Sequence, residues 1–123
     1  PAPHRPNRPR VLVTGLGAVT PYGVGAPALW AGLTEGRSAI RALRRVDASE
    51  LSVRIGGEVP DFRPGDHLDA RAARRMDRFA QFAVAAAREA LDQAGLDLAA
   101  FDCDRVGVVL NTGGGGLPSL EAS

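Results

Sequence analysis

The sequence predicts an α/β fold built on a mostly parallel sheet, and three observations carry that expectation. Short runs rich in β-branched residues at Val11–Thr14 (VLVT), Val53–Val59 (VRIGGEV) and Arg105–Asn111 (RVGVVLN) read as strands. Helical spacing fills the intervals between them, most strongly over Asp77–Ala94. The order is therefore strand, helix, strand, helix, strand, helix start, the alternation that packs helices on a parallel sheet through right-handed crossovers.

Each element has its own local reason. Residues 1–9 mix Pro and Arg with no apolar core behind them, which predicts a disordered leader and not a secretory signal. Val11–Thr14 reads as a strand buried on both faces, ending at Gly15. Pro27 suits the first turn of a helix because its missing donor costs nothing there. Leu29, Trp30 and Leu33 give that helix an apolar stripe and Gly36 a stop. Residues 38–52 are irregular and polar, and the strand at Val53–Val59 is weakened at Gly56–Gly57. In the strongest helix Asp77 is a good N-cap, Gly95 a good C′ residue, and Phe79, Phe82, Ala83, Ala86, Ala90, Leu91 and Ala94 recur at helical spacing. Leu117–Ser123 reads as the first turns of a further helix. Three strands make a thin sheet with uncovered apolar edges. Residues 10–123 are thus expected to be the first part of a larger fold.

Composition excludes several classes. Fifteen basic residues, all Arg, against 14 acidic ones leave a net charge of +1, without the basic excess of a general nucleic-acid or membrane-surface binder. No apolar run approaches a membrane span. The single cysteine, Cys103, cannot form an intrachain disulfide, which fits a reducing cytoplasm.

The motifs divide in the same way. Gly15-x-Gly17-x-x-Thr20 follows a strand but lacks the third glycine, and Pro21 prevents the helix that a dinucleotide turn requires. A structural loop that lets backbone segments pack closely is the better reading. The run Gly113, Gly114, Gly115, Gly116 lacks the Gly-Lys-Ser/Thr ending of a phosphate cradle. It is either a plain strand-to-helix turn or a place where a ligand or another chain comes close. Arg71, Arg74, Arg75 and Arg78 fall at i, i+3, i+4 and i+7, so three or four guanidinium groups share a face if Asp69 starts a helical turn. That is either a solvated basic face or a patch for an acidic protein or phosphate-bearing ligand. Cys103 lies between Asp102 and Asp104, whose charges disfavour a thiolate. His4 and His67 have no metal-ligand spacing, and no nucleophile–base–acid set is present, so no residue here is assigned a catalytic role.

The ordered motifs resemble a known family. Val11–Pro21 (VLVTGLGAVTP), Gly23, Leu29–Leu33 (LWAGL), Gly36–Ile40 (GRSAI), Asp61-Phe62, Arg75–Phe79 (RMDRF), Gln81–Ala83 (QFA), Gly107–Val109 (GVV) and Thr112–Leu117 (TGGGGL) are similar in order and spacing to the opening of elongating β-ketoacyl-acyl-carrier-protein synthases. The likeness runs from residue 9 to 123.

The resemblance implies the first part of the N-terminal half of a thiolase-like, five-layer α-β-α-β-α fold. It implies decarboxylative Claisen condensation of an acyl-cysteine with malonyl-carrier protein, in fatty-acid or polyketide synthesis. In the family the nucleophilic Cys and the His pair lie beyond the position of Ser123, and Cys103 does not match. Arg71, Arg74 and Arg75 match the basic positions that dock the carrier protein. Gly114, flanked by Gly113 and Gly115, matches a gate of the acyl channel where a bulky aliphatic residue is usual. Tyr22 replaces the usual Leu. No cofactor is implied, since substrates ride on the phosphopantetheine of the carrier protein. The implied partners are the C-terminal remainder of the synthase, a second protomer (homodimer or ketosynthase/chain-length-factor heterodimer) and the acyl carrier protein, with no nucleic acid and no membrane. The alternatives are a chain-length-factor-like subunit without the nucleophile and a carrier-protein-binding module.

Overall fold

The computed structural model describes residues 9–121, apart from the side chains at positions 118 and 120. The leader expected at 1–9 therefore lies, except for its last residue, outside the described residues.

The strongest helical pattern gives the longest element. The helices are α1 (Ala26–Thr34), α2 (Ala70–Ala73), α3 (Arg78–Ala94) and α4 (Leu117–Glu121). The 17 residues of α3 end as expected: Gly95 takes the left-handed conformation at φ 62°, and Leu96 N–H donates to the Leu91 carbonyl at 3.2 Å. Pro27 lies in the first turn of α1. Among the described residues no helix is long and apolar enough to cross a membrane.

The core is small. Phe62, Leu68, Ala73 and Ala85 are buried, with Val19, Val59, Met76, Phe82 and Val84 packed against them. Phe62 and Phe82 meet edge to face with ring centroids 4.8 Å apart.

The loop at Gly15–Gly17 lies directly on α3. A Cβ at Gly15 would fall 1.9 Å from the Ala90 carbonyl oxygen, and one at Gly17 1.8 Å from that of Ala86. Only glycine permits that approach, which is the close-packing role read from the sequence. Side chains of α3 then hold the loop. Gln93 Oε1 accepts from Leu16 N at 2.6 Å, and Glu89 accepts from Ala18 N at 2.9 Å and Ala26 N at 2.7 Å. Glu89 thereby satisfies the first amide of α1, which has Gly25 at its N-cap and no local side-chain cap. Tyr22 has a packing reason: its ring lies over Gly32, and its hydroxyl donates to the Arg37 carbonyl at 2.6 Å.

The strands differ from expectation. Two short ladders form, β1 (Val19–Thr20) with β2 (Gly23–Val24) and β3 (Arg41–Ala42) with β4 (Ile55–Gly56), and both are antiparallel. Of the three expected strands, Val53–Val59 contributes only β4, paired with a segment whose sequence reads as irregular. Glu58 explains that pairing: its carboxylate accepts from Arg44 N at 2.8 Å and Arg45 N at 3.0 Å, closing the hairpin. Val11–Thr14 and Arg105–Asn111 join no ladder. A parallel strand needs a neighbour delivered by a crossover, and no described segment pairs with either run. Their apolar side chains stay exposed, from 45% at Val106 to 96% at Val109.

Candidate functional site

Two neighbouring regions carry the sequence-derived site residues, and α3 connects them. The first is the turn from α2 into α3. Asp69 caps α2, accepting from Arg71 N at 2.9 Å and Ala72 N at 3.1 Å. That cap starts the helical turn on which the arginine spacing depends. The turn is brief, however, and the four arginines do not share one face. Arg71, Arg74 and Arg75 are exposed. Arg78 is partly buried, with its guanidinium 5.5 Å from the Phe62 ring centroid and 4.9 Å from that of Phe82, and it donates to the Val59 carbonyl at 2.5 Å. Burial, with the charge of Arg45 adding to it, holds the Arg78 guanidinium below its ordinary pKa. The helix breaks between Ala73 and Arg78, which turns Arg78 inward. Gln81 fixes the break, donating from Nε2 to the carbonyls of Ala73 at 2.8 Å and Met76 at 3.1 Å. Among the described residues the one ion pair joins Arg37 to Glu35, which leaves Arg71, Arg74 and Arg75 outside any described ion pair.

The second region is the glycine run. It divides into a free half and a packed half. A Cβ at Gly113 would meet nothing within 4 Å, and one at Gly114 only Leu117 Cδ1 at 3.7 Å. A Cβ at Gly115 would fall 2.7 Å from the Phe79 ring, and one at Gly116 2.8 Å from Asp77 Oδ2. Gly116 also takes φ 84°, which strains other residues. The Gly115 N–H donates to Thr112 Oγ1 at 3.0 Å, closing the turn before α4.

Cys103 is exposed in a short 3₁₀ turn that Asp102 caps through Asp104 N at 3.1 Å. The His67 ring stacks on Phe62 at 5.3 Å, and its carbonyl accepts from Arg88. No metal-ligating cluster occurs among the described residues. Sequence reasoning missed Glu89 and Gln93, which hold the Gly15–Gly17 loop, and the contact of Asp77 with Ser119. The available signal for the first pair was two side-chain acceptors at i, i+4 beside Ala86 and Ala90 on the same helix.

The family described as beta-ketoacyl synthase, N-terminal domain, matches residues 8–122, and the chain belongs to it. Its fold is accordingly thiolase-like. The 3-oxoacyl-acyl-carrier-protein synthase 2 of Synechocystis sp. is 47% identical over 115 residues, 94% of this chain and 28% of that protein. The enzyme of the same name from Staphylococcus aureus strain COL is 41% identical over 112 residues, 91% of this chain and 27% of that protein. Among solved structures, one described as the ishigamide ketosynthase/chain length factor superposes with a TM-score of 0.61 at 40% identity, covering 70% of this chain and 21% of that one. The chain thus spans about a quarter of the length of the curated relatives it matches.

Proposed function

We propose that the protein containing this chain is a β-ketoacyl-acyl-carrier-protein synthase of fatty-acid synthesis. The family match across residues 8–122 carries this reading. In the reaction, an acyl chain passes from its carrier thioester to an enzyme cysteine. Malonyl-carrier protein then loses carbon dioxide, and the resulting carbanion attacks the acyl thioester and expels the cysteine thiolate. The covalent intermediate splits one hard step into two easier ones. Neither the nucleophile nor the His pair has a counterpart in this chain, which supplies scaffold, docking surface and channel wall.

Arg71, Arg74 and Arg75 dock the acidic carrier protein; their exposure on one short turn supports this role. Gly113 and Gly114 form an open gate of the acyl channel, and Gly115, pressed on Phe79, is its anchor. Local packing leaves room for a side chain at Gly114. Its absence widens the channel for a longer, branched or cyclic acyl chain. The reaction calls on no cofactor, and the protein works in the cytoplasm with the rest of the synthase fold and a second protomer.

The test is condensation by the purified intact protein with acyl- and malonyl-carrier protein, read as β-ketoacyl product by mass spectrometry. Release of carbon dioxide with stoichiometric β-ketoacyl product is the expected result. A protein that neither takes an acyl group onto cysteine nor forms product overturns it. The structural neighbour described as a ketosynthase/chain length factor favours a second reading, a chain-length-factor-like subunit. That subunit would form product only when a separate ketosynthase is added.

A further inference from the structure

Asp77 sits where the arginine turn meets the glycine run. It is the N-cap residue of α3, yet its side chain caps no amide of that helix. An Asp suited to stabilise its own helix by about 1 kcal/mol is engaged elsewhere. Its Oδ1 accepts the hydroxyl of Ser119 on α4. Its Oδ2 stands against Gly116, at 2.8 Å from where a Cβ would lie. The Gly116 carbonyl in turn accepts from Ser119 N at 3.0 Å. Phe79, two positions on, covers Gly115. The first turn of α3 therefore grips the rear half of the run and leaves Gly113 and Gly114 projecting from a fixed base. Gln81 ties the turn bearing Arg74 and Arg75 to the start of the same helix.

We infer that Asp77 is a positioning residue: through Ser119 and Gly116 it fixes where Gly114 stands, and so sets the range of acyl chains the protein takes. This rests on the reading of Gly114 as the gate. Asp77 touches no substrate and acts only through the Ser119 hydroxyl and the Gly116 backbone. Removing either partner frees the run to sample positions that blur chain-length selection.

The test uses the intact protein with Asp77→Ala, Ser119→Ala, Ser119→Thr and the double variant of the first two, and Gly114→Ile as a reference for the gate. Two quantities are measured: amide hydrogen exchange over residues 112–119, and the ratio of kcat/KM for long and short acyl-carrier proteins. Asp77→Ala and Ser119→Ala are each expected to speed exchange and shift the ratio by about fivefold, the factor for one net hydrogen bond. The double variant should shift it no further, since one contact is lost in each case. Ser119→Thr, which keeps the hydroxyl, should restore the wild-type ratio. The salt dependence of KM for carrier protein should not move. Ser119 is exposed, so Ser119→Ala tests the idea even if Asp77→Ala folds poorly. If Gly114→Ile shifts the ratio but Ser119→Ala does not, Asp77 has no positioning role and the gate stands. If Gly114→Ile leaves the ratio unchanged, the gate reading falls, and the inference with it.

Discussion

Arg74 and Arg78 are the same residue type four positions apart, and they meet opposite surroundings. Arg74 is exposed, while Arg78 lies against two aromatic rings and a backbone carbonyl. Their substitutions should separate accordingly. Arg78→Ala is expected to destabilise the intact protein by about 2 kcal/mol through lost cation–π and hydrogen-bond contacts, read by denaturant unfolding. Arg74→Glu should leave stability within about 0.5 kcal/mol. It should slow acyl transfer from carrier protein about tenfold at low salt, with the deficit shrinking as salt screens the encounter. Unchanged transfer kinetics at low salt would remove Arg74 from the docking surface. The glycines divide in the same manner. Gly115→Ala must displace the Phe79 ring and should cost about 1–3 kcal/mol, whereas Gly114→Ala should be near neutral. Gly114→Ile is expected to narrow the accepted chain lengths, and a full range in that variant would count against the gate. The sequence placed these residues in clusters, but which member of each cluster turns inward depends on Phe62, Val59 and Phe79, and on how the helix breaks after Ala73.

Helices were the readable elements, and the reason is local. Periodicity, Pro27 and Gly95 sit within a few residues of the ends they specify, so α1 and α3 lie close to their expected spans. Strand pairing is a long-range matter, and β-branched runs do not name their partners. Val11–Thr14 has the composition of a buried strand and forms no ladder, while Arg41–Ala42 lacks it and pairs with Ile55–Gly56. What decides the second case is Glu58, whose carboxylate is held below the ordinary range first by the Arg44 N–H and then by that of Arg45. A depressed carboxylate contributes stability above its unfolded pKa, and that contribution disappears as pH falls through the lowered value. The Arg44 and Arg45 amide resonances should therefore shift together in an acid titration, with a midpoint below that of a free Glu. In Glu58→Gln that step should be absent. A midpoint at or above the free value would contradict the geometry.

At the scale of the molecule, four buried side chains carry the core among the described residues, and apolar side chains remain in water at Val11, Leu12 and Val13 and again at Val108, Val109 and Leu110. Such surface favours association. These 123 residues alone are expected to bind a hydrophobic dye and scatter light increasingly with concentration, whereas a dye-silent monomer would show that the two runs find cover. The α/β layering was legible in the order of elements, and the family in the order of motifs. The parallel sheet read from the same order is not formed among the described residues, because neither Val11–Thr14 nor Arg105–Asn111 finds a neighbouring strand.

The Glu89 carboxylate joins two segments far apart in the chain. Nine residues of α1 are too few to hold a helix in water unaided. Their first amide finds its acceptor 63 positions downstream, on α3. The earlier segment is therefore completed by the later one: the first amide of α1 has its acceptor only when the Gly15–Gly17 loop and Ala26 lie against α3. Synthesis runs from the N-terminus, so α1 is made before the residue that completes its cap.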